Sequence, residues 1–177
     1  MFHQLILGRD FLSQSTYKPG DSSALSWDVR FLSFAKHVSD WSKDPSTKVG
    51  AVAVRDRRVL ATGYNGFPQH IVDLPGRLLD REEKLLRTVH AEANIVAQAA
   101  RNGVCLDGST VYVWPFLPCN TCCTLLIQAG FKRVVAPEID IPDRWLKSFT
   151  ASKDMFTEVG INLTLIGPSL VEPDTCS

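Results

Sequence analysis

Two short clusters, His90-Ala91-Glu92 and Pro118-Cys119-Asn120-Thr121-Cys122, place the strongest constraint on how this chain folds. Together they supply one imidazole, two thiols and one carboxylate. Three protein ligands leave one position open on a tetrahedral zinc ion, and a water in that position distinguishes a catalytic zinc site from a structural one. The fold is therefore expected to bring both clusters to one point, with His90, Cys119 and Cys122 as ligands of a single catalytic zinc ion.

The sequence around each cluster predicts the start of a helix. An alanine-rich helix is expected over Val89 to Ala100, because Asn102-Gly103 is a typical helix stop. A second helix is expected over Cys119 to Ala129, since Pro118 suits the position just before a first helical turn. A helix N-terminus lowers the pKa of a cysteine thiol, and residues three apart share a helix face. This placement therefore suits Cys119 and Cys122 as zinc ligands.

The cysteines also fit sites other than a catalytic zinc site. A CxxC pair alone is also typical of a redox site or of half a structural zinc site. A closed structural site needs a fourth ligand, which His70 supplies only if its loop folds back. Cys122 is preferred to Cys123, which points about 100° away around the helix, and Cys123 and Cys105 are expected to be buried cysteines. The joint HxE and PCxxC pattern favours catalysis, since it is the signature of zinc-dependent base deaminases.

Glu92 is the predicted proton carrier of this site. Zinc lowers the pKa of its bound water to about 7, which makes hydroxide available at neutral pH. Glu92, held beside that water without touching the metal, would pass the proton to a ring nitrogen of the base and then to the departing amine. The backbone N–H of Ala91 is a further candidate, for the base carbonyl.

The length, charge and cysteine content of the chain limit the classes of function that it can have. The 177 residues suffice for one sizeable core, and a net charge of +0 gives no global signal for nucleic acid or an anionic membrane. No apolar run approaches the roughly 18 residues of a membrane span, and Met1 to Asp10 does not resemble a secretory signal. Five cysteines, two of them in a ligand spacing, favour a reducing compartment. The predicted location is the cytoplasm.

Apolar periodicity predicts one α/β domain, residues 25–167, with an N-terminal arm (1–24) and a flexible tail (168–177). A helix capped by Ser26 is expected to start at Trp27, and another to span Arg77 to Arg87. Strands alternating with helices after an initial hairpin indicate a five-stranded mixed sheet covered by helices. The expected strands are Val49 to Val54, Val59 to Tyr64, Thr110 to Trp114, Val134 to Ala136 and Ile161 to Ile166.

From about Trp41 to Ala136 the chain resembles the deoxycytidylate (dCMP) deaminases of bacteria and phages, which belong to the zinc-dependent cytidine deaminase superfamily. The zinc motif alone fits any member of that superfamily, and the segments before it narrow the resemblance. The matching segments are Lys43 to Ala51, Gly63 to Pro68, Asp80 to Lys84, Val89 to Glu92, Trp114 to Cys119 and Gln128 to Gly130.

The resemblance implies a three-layer cytidine-deaminase-like fold and the zinc site described above. It implies that dCMP is deaminated to dUMP for thymidylate synthesis, with dCTP or 5-modified dCMP as further possible substrates. It also implies a homo-oligomer, often a hexamer, with dCTP as activator and dTTP as inhibitor. Some relatives bind a second zinc through cysteines before the catalytic histidine. No cysteine precedes Cys105 here, so one zinc per chain is expected.

By the same resemblance, Asn65 would hold the deoxyribose or a regulatory nucleotide. The alternative is that Asn65-Gly66 is simply a tight hairpin turn, although the following residues do not begin a strand. Lys43, Ser46 and Lys48 are the candidate phosphate contacts. Most other basic side chains on the approach are expected to be solvated or in surface ion pairs; these are Arg77, Arg81, Lys84 and Arg87.

Two rival functions remain beside dCMP deamination. A nucleic-acid deaminase, of the tRNA or single-strand type, usually has a basic approach to its site, which a neutral chain does not favour. A non-catalytic nucleotide-binding subunit has no need of a proton carrier, so the presence of Glu92 argues against it.

Overall fold

The computed structural model describes residues 22–171. The strands lie in the order β2-β1-β3-β4-β5, with β1 antiparallel to β2 and β3, and with β3, β4 and β5 parallel. The predicted five-stranded mixed sheet is therefore confirmed. The elements are α1 (Ser22–Ser39), β1 (Gly50–Arg55), β2 (Arg58–Tyr64), α2 (Pro75–Leu79), α3 (Arg81–Arg87), α4 (Ala91–Asn102), β3 (Thr110–Trp114), α5 (Asn120–Gln128), β4 (Arg133–Pro137), α6 (Asp143–Glu158) and β5 (Asn162–Ile166).

Successive residues of the central strands alternate between two hydrophobic clusters. In β3, Val111 and Val113 pack with α4, α5 and α6, whereas Tyr112 packs on the opposite face against α1. In β1, Ala51 and Ala53 face the α4 side in the same way. Because side chains of a strand alternate with a period of two, the sheet has a helical layer on each face. The predicted three-layer α/β fold is confirmed.

Helix α4 approaches β2 closely at Gly63. A Cβ atom at this position would collide with the carbonyl oxygen of Ala91 and lie 2.9 Å from the backbone nitrogen of Ile95. Only glycine permits that approach. The contact fixes the first turn of α4, which carries Glu92 and directly follows His90, against the sheet.

The segment between β2 and α4 is more broken than predicted. The helix expected over Arg77 to Arg87 is two short helices, α2 and α3, because Asp80 adopts extended dihedral angles (φ −73°, ψ 114°). The Asp80 side chain accepts hydrogen bonds from the backbone N–H groups of Glu82 and Glu83. This N-cap satisfies donors at the start of α3 and ends α2.

The secondary structure at both ends of the described chain differs from the expected one. Helix α1 begins at Ser22 rather than Trp27, so residues 22–24 of the predicted arm are helical. Residues 168–170 form a 3-10 turn, and Val171 is buried against the α1 face of the sheet. The rest of the predicted arm of residues 1–24, which is residues 1–21, and the end of the predicted tail (172–177, with Cys176) lie outside the described residues. Within residues 22–171, no helix has both the length and the apolar character that crossing a membrane requires.

Candidate metal and catalytic centre

The side chains of His90, Cys119 and Cys122 converge at one point. The Nδ1 atom of His90 lies 3.5 Å from Sγ of Cys119 and 3.4 Å from Sγ of Cys122. In tetrahedral zinc sites, Zn–N bonds of about 2.0 Å and Zn–S bonds of about 2.3 Å give N···S separations of about 3.5 Å. The donor set and its spacing therefore fit zinc. Within residues 22–171, no other group of three or more His, Cys, Asp or Glu side chains lies close enough together to hold a metal ion. His70 is not part of the group.

Two helix N-termini position these ligands. His90 is the N-cap residue of α4, and Cys119 is the N-cap residue of α5. Cys122 follows in the first turn of α5 and is buried. The predicted placement of both clusters at helix starts is confirmed, and the positive ends of two helix dipoles meet at the thiols.

The electrostatics of the cluster favour a thiolate. A hydrogen bond from Cys122 lowers the pKa of the Cys119 thiol, and one from His90 lowers it further, although burial opposes both. The same hydrogen bond to Cys119, together with burial, raises the pKa of Cys122. Interaction with Cys119 raises the pKa of His90. Since zinc binds deprotonated thiols, a bound zinc ion would displace the proton that Cys122 otherwise keeps.

Glu92 lies in the first turn of α4 and is 4% exposed. It lines the same cavity as His90 and Cys119 but does not belong to the ligand group found within residues 22–171. Burial raises the pKa of its carboxyl group. A carboxyl group with a raised pKa beside a metal site is suited to proton transfer near neutral pH.

The cluster opens into a cavity of about 460 Å³, a size typical of small-molecule sites. One wall is the loop between α1 and β1, a second is α2 with α3, and a third is formed by the segment before α5 together with α6. The lining residues of these three walls are Asp44 to Thr47 and Val49; Leu78, Leu79, Arg81, Lys84, Leu85 and Thr88; and Phe116, Leu117, Arg144, Trp145 and Phe149.

The structure brings some of the predicted nucleotide contacts to this cavity and not others. Ser46 and Asn65 line it, whereas Lys43, Lys48 and the buried Ala91 do not. The Nζ atom of Lys43 forms an ion pair at 2.7 Å with Asp73, and that of Lys48 donates to the carbonyl oxygen of Asp40 at 3.4 Å.

Asn65 is buried and holds the loop that precedes β1. Its Oδ1 atom accepts a hydrogen bond from the N–H of Val49 at 2.8 Å, and its Nδ2 atom donates to the carbonyl oxygen of Thr47 at 2.9 Å. The next residue, Gly66, pairs with Val89 in an isolated bridge. Asn65-Gly66 is therefore not the turn of a hairpin, and it connects β2 to the segment that leads into α4.

Sequence reasoning missed the role of Lys84 in the wall of the cavity. Lys84 was expected among the surface charges, but it is buried, with its Nζ atom 2.9 Å from Oδ1 of Asp44 and 2.9 Å from Oγ of Ser46. Its place in a charged helix is no different in sequence from that of its exposed neighbours. Only the tertiary structure brings α3 against the Asp44 loop.

An aromatic contact in the cavity wall was not predicted. Phe116 and Trp145 form an edge-to-face aromatic contact in the cavity wall, with ring centroids 4.5 Å apart. No motif in the sequence pointed to this pair.

Cys123 is buried as expected, with its Sγ atom 3.6 Å from the carbonyl oxygen of Ser152. The expected burial of Cys105 is wrong, because this side chain is exposed.

Comparison with known proteins identifies the family. Residues 25–138 match the family described as "Cytidine and deoxycytidylate deaminase zinc-binding region". An uncharacterised deaminase of the luxG 3′ region of Aliivibrio fischeri is 39% identical over 78% of this chain and 92% of the relative. A probable deoxycytidylate deaminase of Drosophila melanogaster is 34% identical over 88% of this chain and 81% of the relative. The human deoxycytidylate deaminase is 33% identical over 77% and 78%.

Solved structures agree on the fold. The crystal structure of dCMP deaminase from the cyanophage S-TIM5 superposes with a TM-score of 0.62, covering 85% of this chain and all of that chain, at 23% identity. The matched family region contains the cluster of His90, Cys119 and Cys122, and also Glu92, which lines the cavity with His90 and Cys119. The chain therefore belongs to the cytidine and deoxycytidylate deaminase family, as its resemblance to the deoxycytidylate deaminases predicted.

Proposed function

We propose that this protein is a zinc-dependent enzyme that hydrolyses dCMP to dUMP and ammonia. One observation carries the proposal: a buried carboxyl group, Glu92, shares a cavity with a His-Cys-Cys cluster that has the spacing of zinc ligands. Several relatives are named deoxycytidylate deaminases, and the name supports dCMP as the substrate. The cyanophage dCMP deaminase has also been crystallised in complex with dCMP and dUMP.

His90, Cys119 and Cys122 would hold one zinc ion per chain. Bound zinc supplies a Lewis acid that lowers the pKa of a coordinated water to about 7. The open side of the cluster faces the cavity through His90 and Cys119. Water and the base would therefore meet on that side.

Glu92 would move the protons of the reaction. Hydrolysis replaces the 4-amino group of cytosine with an oxygen atom from water, so one water is consumed and one ammonia is released. The carboxylate accepts a proton from the attacking water and delivers it to the ring nitrogen N3. It then takes the remaining proton from the new hydroxyl group at C4 and delivers it to the amino group, so that the C4–N bond breaks and ammonia leaves. The surrounding burial keeps bulk water from competing with the carboxylate for these protons.

Ala91 and Asn65 would orient the base and the sugar. Ala91 is the first residue of α4, where backbone N–H groups have no acceptor within the helix. Its N–H is our candidate donor to the base carbonyl. Asn65 uses one amide N–H for Thr47, which leaves a second N–H for the deoxyribose or a regulatory nucleotide. Ser46 is the predicted phosphate contact that lines the cavity.

The wider biology is proposed by resemblance to the family. The product dUMP would serve thymidylate synthesis, dCTP or 5-modified dCMP would be further substrates to assay, and dCTP and dTTP would be effectors. A homo-oligomer, with a hexamer favoured, is proposed from the same resemblance, and Leu86, which is 74% exposed, is a candidate subunit contact. The described cysteines are free thiols, which supports the predicted cytoplasmic location.

The decisive assay measures ammonia release from dCMP, dCTP, deoxycytidine and cytidine by zinc-loaded protein. We expect activity on dCMP with kcat/KM at least about a hundredfold above that on deoxycytidine, because charge-assisted phosphate contacts strengthen binding. Glu92→Gln is the matched control and should abolish turnover while retaining one zinc per chain. Cys119→Ser should lose both metal and activity. Activity confined to RNA or single-stranded DNA would contradict the proposal, and so would loss of zinc in Glu92→Gln.

A further inference from the structure

The charged side chains that line the cavity separate into two groups. Lys84 and Asp44 neutralise each other in a buried ion pair, and Glu92 lies buried beside the metal ligands. The other two lining charges, Arg81 and Arg144, are exposed. Neither of them forms an ion pair within residues 22–171. The mouth of the cavity therefore carries two guanidinium groups without a carboxylate partner in the described chain.

Arg144 is held in the wall by an aromatic side chain. Its Cζ atom lies 4.5 Å from the centroid of the Trp145 ring, a cation–π contact that keeps the guanidinium beside the cavity. Trp145 in turn packs against Phe116, two residues before Pro118. The orientation of Arg144 is thus coupled to the segment that leads into the metal ligand Cys119.

A second contact fixes α6 relative to the metal centre. The Oγ atom of Ser148 accepts a hydrogen bond from the N–H of Asn120 at 3.0 Å and donates to Oδ1 of Asn120 at 2.8 Å. Asn120 directly follows Cys119, and Ser148 lies one helical turn after Arg144. The distance from the metal centre to Arg144 is therefore set by hydrogen bonds as well as by ring packing.

Arg81 lines the same cavity from the wall formed by α2 and α3. It lies three residues before Lys84 on α3, so both side chains share one face of the helix, and both line the cavity. The buried pair between Lys84 and Asp44 holds this face of α3 against the loop that precedes β1. Arg81 is consequently positioned by a neighbour one turn along the same helix.

We propose that Arg81 and Arg144 bind the 5′-phosphate of the nucleotide substrate between them, at the mouth of the cavity. This assignment rests on the proposed function. The amino group of cytosine and the 5′-phosphate are at opposite ends of dCMP, so a base seated beside Glu92 directs its phosphate toward the mouth. A guanidinium group presents paired N–H donors that match phosphate oxygens, and two of them balance a dianion.

This assignment differs from the one that the sequence favoured. Lys43 and Lys48 lie outside the cavity lining, and each contacts another part of the protein. Ser46 lines the cavity beside Lys84, so its hydroxyl group is positioned to support a ligand that the two arginines hold.

Steady-state kinetics of the zinc-loaded full chain test the assignment. Arg81→Gln and Arg144→Gln should each lower kcat/KM for dCMP by at least about tenfold and change that for deoxycytidine by less than about twofold. Arg144→Lys, which keeps the charge but not the paired donors, should recover only part of the loss. Arg77→Gln is the matched control, since Arg77 is on α2 outside the cavity lining. It should leave both substrates unaffected.

A binding measurement separates this proposal from the proposed function. Calorimetric titration with dUMP and with deoxyuridine needs no turnover. We expect dUMP to bind at least about tenfold more tightly than deoxyuridine, and Arg81→Gln and Arg144→Gln to remove most of that difference. This result in a protein that fails to deaminate dCMP would refute the proposed function and leave the phosphate site intact.

Three outcomes would overturn the assignment. The first is an unchanged dUMP affinity in both glutamine variants, which would make the arginines solvated rim charges. The second is an equal loss for dCMP and deoxycytidine, which would mean that Arg144 acts only through Trp145. The third is a phosphate-specific loss in Lys43→Ala or Lys48→Ala with none in Arg81→Gln and Arg144→Gln.

Discussion

The Nζ atom of Lys84 lies 2.9 Å from Oδ1 of Asp44, with side chains that are only 8% and 9% exposed. A second lysine–aspartate pair, Lys43 with Asp73, has a similar distance of 2.7 Å, but its lysine side chain is 70% exposed. The two pairs differ in burial far more than in geometry. They therefore form a natural comparison of what an ion pair contributes in the cavity wall and on the surface.

Lys84→Met should lower the free energy of unfolding by about 2–4 kcal/mol, because it leaves the Asp44 carboxylate buried without its cation. Lys43→Met, the matched control, should change it far less, since exposed pairs are screened by water and salt. Urea denaturation of the zinc-loaded protein measures both values. Equal effects in the two variants would contradict the importance of burial.

The stability that Asp44 contributes should depend on pH. Burial acts to raise the pKa of Asp44, but the hydrogen bonds from Lys84 and from the N–H groups of Ser46 and Thr47 outweigh it and lower the pKa. A lowered pKa in the folded state means that the contribution is complete above the unfolded value of about 3.9 and is lost as pH falls through the folded value. The difference in unfolding free energy between wild type and Asp44→Asn should therefore be constant from pH 7 to 5 and begin to shrink below about pH 4. Urea titrations at each pH measure it, and a difference that already falls between pH 7 and 5 would contradict the assignment.

Gly63→Ala should disturb the metal centre indirectly, because it pushes the first turn of α4 away from β2. The added methyl group would meet the backbone of Ala91 and Ile95, and we expect a loss of about 1–3 kcal/mol in stability together with weaker zinc binding. Gly76→Ala is the matched control, since a Cβ there meets nothing within 4 Å and alanine favours a helix. Thermal unfolding and metal analysis report both effects. Unaltered zinc affinity in Gly63→Ala would show that α4 can retreat from β2.

The cysteines should differ in reactivity and in their effect on zinc. Burial raises the pKa of Cys123 to about 11, so its thiol should stay protonated and unreactive toward a thiol reagent at about pH 7.5 until the protein unfolds. Exposed Cys105 should react in the native state, so Cys105→Ser should reduce the rapid labelling. Cys123→Ala should keep its zinc and Cys122→Ala should lose it, as metal analysis would reveal. The reverse result for these two variants would exchange their roles.

Local patterns predicted the parts of this protein whose cause is local. The apolar residues of Thr110 to Trp114 form a strand because alternate side chains fill two cores, and the predicted bounds match β3. Pro118 predicted the helix start at Cys119, and the Asn102-Gly103 stop predicted the end of the helix that begins beside His90. The structure agrees on both. Helix caps and ligand spacing can be predicted from the sequence because they involve residues within one or two helical turns of each other.

The parts that escaped prediction depend on contacts between distant elements. Lys84 is buried only because α3 packs against a loop forty residues earlier in the chain, at Asp44. The contact of Trp145 with Phe116 joins two elements whose relative position follows from the whole sheet. Asp80 was overlooked for a different reason, since a capping aspartate inside a charged helical pattern resembles any other surface carboxylate until its dihedral angles are known.

The absence of a side chain at Gly63 has a consequence for how this protein could be redesigned. Because the first turn of α4 has no space to shift toward β2, the proposed catalytic carboxylate and the proposed histidine ligand cannot be tuned by repacking that interface. The cavity wall formed by α2 and α3 is less constrained, since α2 has no buried residue and Lys84 is the buried residue of α3. Libraries that aim at a new nucleotide should therefore vary α3 and the start of α6 and leave the contact between β2 and α4 untouched.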